Sequence, residues 1–326
     1  MNHSNLDSPQ LSEKLIAYLG NELENPGLAY AENLKQLQGG YETTIYRFQL
    51  KGVGDSYSQP LVLRLYPKSY GTQNATWEST IQNMLVNAGY PAPKAHFVCT
   101  DMSILGGAFF IMDYIPGQLL MSAPLDTVLE TLGKTHAELH KIDPTNLFDS
   151  FQEAGVSDYV YGLDSRFNNL RERAKKQPWI QAGVQWLLDH RPPEPDQVSV
   201  CHGDFHPLNI LVENERVTGI LDWSGFVVAD PAFDVANTLV LITIPVKHLI
   251  DLPDEVSAFD WNLAAEQYLS AYQQIKELDQ TNLDYYRVRR CLLALVEGVV
   301  WQHPLIIQDL IETIQKITGL QIELPK

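Results

Sequence analysis

Hydrophobic periodicity changes about a third of the way along this 326-residue chain, and that change restricts the fold more than any single motif. In the first part, "TTIYRFQL" and "PLVLRLYP" read as strands joined by the Gly- and Ser-rich hairpin "KGVGDSYSQ". "KAHFVCT" and "AFFIMDYI" read as two more, with "IPGQ" as a turn. A helix is expected over 11–23, and another in "ATWESTIQNMLVNAG", ended by Gly89, Pro91 and Pro93. Beyond that the period is helical over 124–142, 164–190, 231–248, 262–277 and 283–316. The interruption is 198–222, where "VSVCH", "NILVEN" and "VTGILDW" read as short strands. These patterns predict an α+β chain with two lobes and a cleft between them: residues 1–115, small and β-rich, and residues 116–326, larger and mostly helical.

Composition narrows the function classes. With 45% hydrophobic and 19% charged residues the chain is globular, and its length allows a large core. Cys99, Cys201 and Cys291 are few, odd in number and far apart, which suits a reducing compartment. The opening "MNHSNLDSPQLSEKL" lacks the basic patch and apolar run of a signal peptide, and no run of 18 apolar residues occurs. A cytoplasmic location with no membrane partner is therefore expected. A net charge of -17 argues against a nucleic-acid partner. The charge is uneven: 7 Lys+Arg against 10 Asp+Glu up to Ile115, and 16 against 30 from Pro116 onward. Solubility is one reading of that asymmetry; a cationic ligand entering over the second part is the other.

Three suggestive strings fail on spacing. "GKT" at 133–135 lacks the glycine five residues earlier that a phosphate-binding loop needs, Val128 standing there, and it falls within a helix. "HAELH" at 136–140 places Ala137 where a zinc-protease helix needs glutamate. "GVGDSY" at 52–57 has Tyr57 in place of a third glycine and reads as a hairpin tip.

The chemistry is concentrated in "VSVCHGDFHPLNILVENERVTGILDWSG", residues 198–225. His202, Asp204 and His206 alternate and would share one side of an extended strand, as in a metal-dependent hydrolase. Pro207 and the loop-like "GDFHP" oppose that, and no further His or Cys lies nearby. The other reading uses every polar residue. Asp204 precedes Asn209 by five and Asp222 follows it by thirteen. Phosphoryl transfer needs a carboxylate to deprotonate the attacking hydroxyl and hard oxygen donors for Mg²⁺ on ATP.

The stretch resembles the aminoglycoside phosphotransferase family, the choline-kinase-like small-molecule kinases that share the protein-kinase fold. "HGDFHPLN" is similar to the family's His-Gly-Asp-x-x-x-x-Asn loop, and "LDWSG" to its metal-binding Asp segment. The resemblance implies Asp204 as catalytic base, Asn209 and Asp222 as Mg²⁺ ligands and His202 as a support of the loop. His206 is common in this setting without a clear chemical role. "ADPAFDVAN" is similar to the family's Asp-Pro-x-x-Asp element; Asp230 reads independently as a helix N-cap before Pro231, so Asp230 and Asp234 are left outside the catalytic set. The likeness runs over about 30–275 and includes "LGKTHAELHKID", similar to a family helix ending in Leu-His.

Further roles follow from the same resemblance. "FFIMDYIPGQLL" looks like the interlobe hinge, so backbone near Asp113, Tyr114 and Ile115 is expected to hydrogen-bond adenine. "GGYETTIYRF" stands at the nucleotide loop, with Gly39 and Gly40 its only glycines. Protein kinases pair the phosphates with lysine; "LVLRLYP" offers Arg64, which alternation places with Val62 and Tyr66 opposite Leu61, Leu63 and Leu65. A guanidinium can pair bidentately with phosphate oxygens, and Glu78 is the matching helix carboxylate. The expected activity is an ATP- and Mg²⁺-dependent kinase for a hydroxyl on a small molecule, an amine-bearing sugar, antibiotic or amino alcohol. The alternatives are a non-catalytic nucleotide-binding relative, which the intact Asp204, Asn209 and Asp222 set opposes, and the metal-dependent hydrolase. "HLIDLPDEVSAFDW", with Asp251, Asp254, Glu255 and Asp260, is either a solvated acidic loop or a lining of the acceptor site.

Overall fold

A computed structural model of the chain describes residues 8–37, 43–157, 161–245, 248, 261–297 and 302–324. The contacts divide the chain into two units, one of residues 1–118 with 146–156 and 211–224, the other of 119–145, 157–210 and 225–326.

The first unit is built on a five-stranded sheet of β1 (Ala29–Gln36), β2 (Thr44–Lys51), β3 (Leu61–Leu65), β4 (Ala95–Cys99) and β5 (Phe109–Asp113), in the order β1-β2-β3-β5-β4. All neighbours are antiparallel. β3 is central, and all five of its residues are buried. Its odd-numbered leucines, Leu61, Leu63 and Leu65, meet Phe109 and Ile111 and the helix stripe Leu11, Leu15 and Leu19. Val62 and Tyr66 share the other face with Phe110, Met112 and Ala75. The period of two thus sends the leucines to the Ser8–Glu22 helix and leaves Arg64 on the face of the Gln73–Asn87 helix.

β1 was not evident in the sequence. It is an edge strand with mostly exposed residues, and irregularities between Tyr30 and Glu32 and between Glu32 and Lys35 break its alternation. The 52–59 connection carries a single helical turn, Asp55–Ser58, rather than a plain hairpin tip.

The second unit is mostly helical. Its Leu125–His140 helix crosses the Trp261–Gln273 helix at Gly133, where a Cβ would lie 2.5 Å from the Tyr268 carbonyl oxygen. The glycine of "GKT" is therefore a helix-crossing residue, which explains why it stands inside a helix. The expected helix 164–190 is two, Leu163–Ala174 and Gln181–Asp189, separated by the Pro178–Ile180 turn, because Pro178 cannot continue the first. The expected 283–316 helix is likewise two, Leu283–Glu297 and Pro304–Thr318. The 231–248 helix is Pro231–Thr243. Two short strands, Ser199–Cys201 and Val227–Ala229, pair antiparallel with Cys201 opposite Val227, so the segments after one and before the other emerge together. No helix among the described residues is long and apolar enough to cross a membrane.

Candidate active site

The strand ends at Cys201, and residues 202–206 form an irregular loop rather than an extended fan of ligands. His202 is fully buried, and its Nδ1 accepts the Asp204 N–H at 3.2 Å. Gly203 has φ +84°, and a Cβ there would lie 2.1 Å from the Gly225 carbonyl oxygen. Only glycine fits where these two loops meet.

Asp234 holds this loop from below. Its Oδ2 accepts the His202 N–H at 2.5 Å and its Oδ1 the Gly203 N–H at 2.8 Å. The same carboxylate faces His136 Nε2 at 2.9 Å and His140 Nε2 at 3.3 Å. A carboxylate only accepts, so both Nε2 atoms donate, and the Nδ1 atoms accept from Tyr268 and Tyr272 hydroxyls, each at 2.7 Å. Burial, aided by His140, pushes the His136 pKa down to about 4, and burial lowers His140 as well. Burial alone would raise the Asp234 carboxyl, but His136 and the hydrogen bonds from both imidazoles hold it well below the ordinary carboxylate value. His136, His140 and Asp234 converge closely enough to be read as metal ligands. Yet each Nε2 proton already serves Asp234, and Asp234 also carries two backbone amides, so the cluster is complete as a hydrogen-bonded anchor.

Asp204 is presented above this anchor, its side chain 44% exposed, with His206 Nε2 3.3 Å from its Oδ2. Burial of the carboxyl works to raise its pKa, but the His206 hydrogen bond and the charges of His206, Arg290 and His202 outweigh it, so Asp204 lies below its ordinary value. His206 caps the Pro207–Asn209 turn, its Nδ1 accepting the Leu208 N–H, and its Nε2 lies between the Asp204 carboxylate and Asn209 Nδ2. Asn209 donates Nδ2–H to the Asp204 carbonyl oxygen at 3.0 Å, with His206 Nε2 3.2 Å from the same nitrogen, and its Oδ1 is an acceptor.

The second group of predicted residues lies within the first unit. Arg64 places Nη2 2.9 Å from Asp222 Oδ1 and Nε 3.4 Å from Glu78 Oε2. Tyr66, two residues on along the same face, donates its hydroxyl to Glu78 Oε2. Burial disfavours the Arg64 charge, but Glu78, Tyr66 and Asp222 together raise its pKa above the ordinary value. Glu78 is completely buried, and burial pushes its pKa up to about 7 against the opposing pull of Arg64. Asp222 takes a left-handed backbone, φ +63°, and its side chain is 42% exposed, with the Ser224 hydroxyl donating to Oδ1 at 2.9 Å. Trp223, fully buried, donates Nε1–H to the Ile220 carbonyl oxygen and fixes the turn.

The expected hinge is more selective than the sequence suggested. The Asp113 N–H is given to the Lys94 carbonyl oxygen at 3.0 Å and the Tyr114 N–H to that of Pro60 at 3.1 Å. Of the three, only the Ile115 amide lacks a hydrogen bond among the described residues. The Ile115 side chain lies against Gly219, where a Cβ would come within 2.9 Å of it. Gly39 and Gly40, and Asp251, Asp254, Glu255 and Asp260, lie outside the described residues.

Asp230 caps its helix by accepting the Ala232 N–H at 2.8 Å, as the sequence implied. Asp234 was left aside there, although it is the residue that fixes the loop. The signal was the spacing of four: His136 with His140 and Tyr268 with Tyr272 face each other across two helices.

Residues 33–290 match the phosphotransferase enzyme family. Among curated proteins, acyl-CoA dehydrogenase family member 11 of Gallus gallus is 25% identical over 79% of this chain and 35% of its own length. The Homo sapiens protein of that name is 26% identical over 69% of this chain and 30% of its own. The chain thus spans about a third of the length of these relatives. Among solved structures, an aminoglycoside phosphotransferase-like protein of Ralstonia eutropha JMP134 superposes with a TM-score of 0.62 at 19% identity, covering 94% of this chain and 95% of the other. Aminoglycoside phosphotransferase APH(4)-Ia, in ternary complex with ADP and hygromycin B, gives 0.58 at 16% identity over 93% and 97%. Macrolide 2'-phosphotransferase MphH of Brachybacterium faecium gives 0.54 at 17% over 94% and 99%. These structures share the protein-kinase-like fold, and with the family match running over most of its length the chain belongs to the phosphotransferase enzyme family.

Proposed function

We propose that this chain transfers the γ-phosphoryl group of ATP to a hydroxyl of a small molecule, with Asp204 as the base. The observation that carries this reading is the placement of Asp204: half-exposed, beside His206 Nε2, and mounted on a loop that Asp234 fixes through two backbone amides. Asp204 accepts the proton of the acceptor hydroxyl while the new oxygen–phosphorus bond forms, the bond to the β-phosphate oxygen breaks, and ADP departs. His202 and His206 hold the carboxylate in place.

The donor chemistry suits Mg²⁺, a hard cation that takes oxygen ligands: the amide oxygen of Asn209 and the carboxylate of Asp222 would each serve as a ligand. Bound there, the metal would neutralise charge on the ATP phosphates. Arg64 would pair with phosphate oxygens, Glu78 would set its orientation, and the Ile115 amide would serve adenine; residues 1–115 act in this scheme as the nucleotide-binding lobe. The neighbours in complex with ADP and with hygromycin B support ATP as the donor and a small-molecule acceptor. The dehydrogenase activity in the curated relatives' names is theirs, and the chain spans only about a third of them.

The test is Mg²⁺-dependent binding of ADP by calorimetry, followed by ATP turnover across a panel of hydroxylated compounds. Saturable Mg²⁺-dependent ADP binding and transfer to at least one acceptor are expected. ADP binding that ignores Mg²⁺, with no acceptor phosphorylated, would sink the reading.

A further inference from the structure

Arg289, on the Leu283–Glu297 helix, is only 3% exposed, yet it makes no hydrogen bond and no ion pair among the described residues. Its Nε is a buried donor without an acceptor. Its guanidinium lies over two aromatic faces, 4.9 Å from the centre of Phe233 and 5.6 Å from that of Phe167. Cation–π contacts offset part of the desolvation of a guanidinium but leave its N–H donors unmet. Its neighbours aggravate the cost. Burial, then the charges of Arg166 and Arg290, depress its pKa to about 9, against a weaker opposing pull from Glu297. Glu297 is itself divided between Arg173 at 3.6 Å and Arg290 at 3.9 Å. Arg290 likewise has a buried Nη1 with no hydrogen-bond acceptor.

A buried, unpaired guanidinium among two others is what a protein retains when the missing anion arrives with a ligand. The position ties this cluster to the reacting loop. Phe233 immediately precedes Asp234, the anchor of His202 and Gly203. Arg166 donates Nη2–H to the Phe226 carbonyl oxygen at 2.9 Å, and the adjoining Gly225 is the residue packed on Gly203. Arg290 is close enough for its charge to lower the Asp204 carboxyl.

We propose that Arg289, with Arg166 and Arg290, forms an anion-binding subsite beside Asp204, and that the acceptor is a hydroxylated acid whose carboxylate or phosphate group docks there. The substrate assignment rests on the phosphotransferase reading; the anion site does not. It reverses the sign expected from the lobe-wide charge. The surplus carboxylates act at long range and are screened beyond about 8 Å at physiological salt, whereas these guanidiniums act in a desolvated setting at the site itself.

The test has two arms. In the first, inorganic phosphate is titrated against wild type and Arg289→Met in thermal shift, with chloride at matched ionic strength as control. Phosphate is expected to raise the wild-type Tm above the control, and Arg289→Met to abolish that response while its ligand-free Tm holds or rises, since an unpaired buried charge has gone. Arg289→Lys supplies a second variant that keeps the charge and loses the fork, and a weakened phosphate response is expected. In the second arm, hydroxy acids, sugar phosphates and amino alcohols are compared as acceptors, which separates carboxylate from phosphate recognition. The acids are expected to be preferred, with KM rising at least roughly tenfold in Arg289→Met while ADP affinity is unchanged. A phosphate response equal in wild type and Arg289→Met overturns the subsite; so does transfer to amino alcohols in preference to every acid. If no acceptor is phosphorylated but the phosphate response depends on Arg289, the phosphotransferase reading fails and the anion site stands.

Discussion

Arg64 Nη2 and Asp222 Oδ1 lie 2.9 Å apart, so the cation proposed for the phosphates and the carboxylate proposed for the metal are ion-paired with each other. Each therefore meets its ligand by exchanging a charged partner rather than by giving up water alone, which moderates affinity but keeps both groups aimed. Asp222→Ala removes the carboxylate and leaves Arg64 to Glu78. Calorimetric ADP titrations with and without Mg²⁺ should show clear stimulation by the metal in wild type and little in Asp222→Ala. Equal stimulation in both would contradict the ligand role.

Glu78 makes the stability of the protein depend on pH. Its folded pKa, pushed up to about 7, exceeds the ordinary 4.5, so the folded state takes up the proton more readily than the unfolded chain. This contribution is fully present below the ordinary value and is lost as pH rises from about 4.5 through about 7, a change of up to about 3 kcal/mol. Glu78→Gln, which cannot ionise, should flatten the Tm profile across that window. A wild-type profile already flat between those pH values would refute the assignment.

Asp204→Asn preserves shape and removes the proton acceptor. Phosphoryl transfer should fall on the order of 10²-fold or more, with ADP binding retained. Because Asp204 is held below its ordinary carboxylate value, its protonation should not limit turnover between neutral and mildly acidic pH. Removing the His206 hydrogen bond with His206→Ala should move the acid limb of the rate profile upward. Near-normal turnover in Asp204→Asn would exclude it as the base.

Much of this was legible in the sequence where one residue's chemistry and spacing were enough. The alternation in "LVLRLYP" set Arg64 apart from its flanking leucines, and β3 keeps that separation although both faces are buried. Asp230 announced its capping role through Pro231. What escaped depended on tertiary pairing. Nothing local marks Asp234 as the acceptor for two amides 31 and 32 positions away, nor Arg289 as a buried cation with no ion pair among the described residues. β1 escaped because its irregular register breaks the alternation that marks a strand.

The anchor beneath Asp204 yields the last prediction. Asp234 accepts from two imidazoles and two backbone amides in a fully buried setting, so Asp234→Ala strands four donors at once. The loss should be on the order of 3–5 kcal/mol in chemical denaturation. The gentler probes are Tyr268→Phe and Tyr272→Phe, which remove only the hydroxyls donating to the His136 and His140 Nδ1 atoms. Each leaves one buried imidazole nitrogen unmet and should cost about 1–3 kcal/mol. The two tyrosines act on separate histidines that share Asp234, so the double variant should depart from additivity in a double-mutant cycle. The same cluster could be taken for a metal site, and that reading predicts otherwise. A metal bound through both Nε2 atoms would be stripped by a chelator with a fall in Tm. The hydrogen-bonded anchor instead predicts an unchanged Tm in EDTA and no stoichiometric zinc in the purified protein. A chelator-sensitive Tm that Asp234→Asn abolishes would establish the metal and displace the anchor.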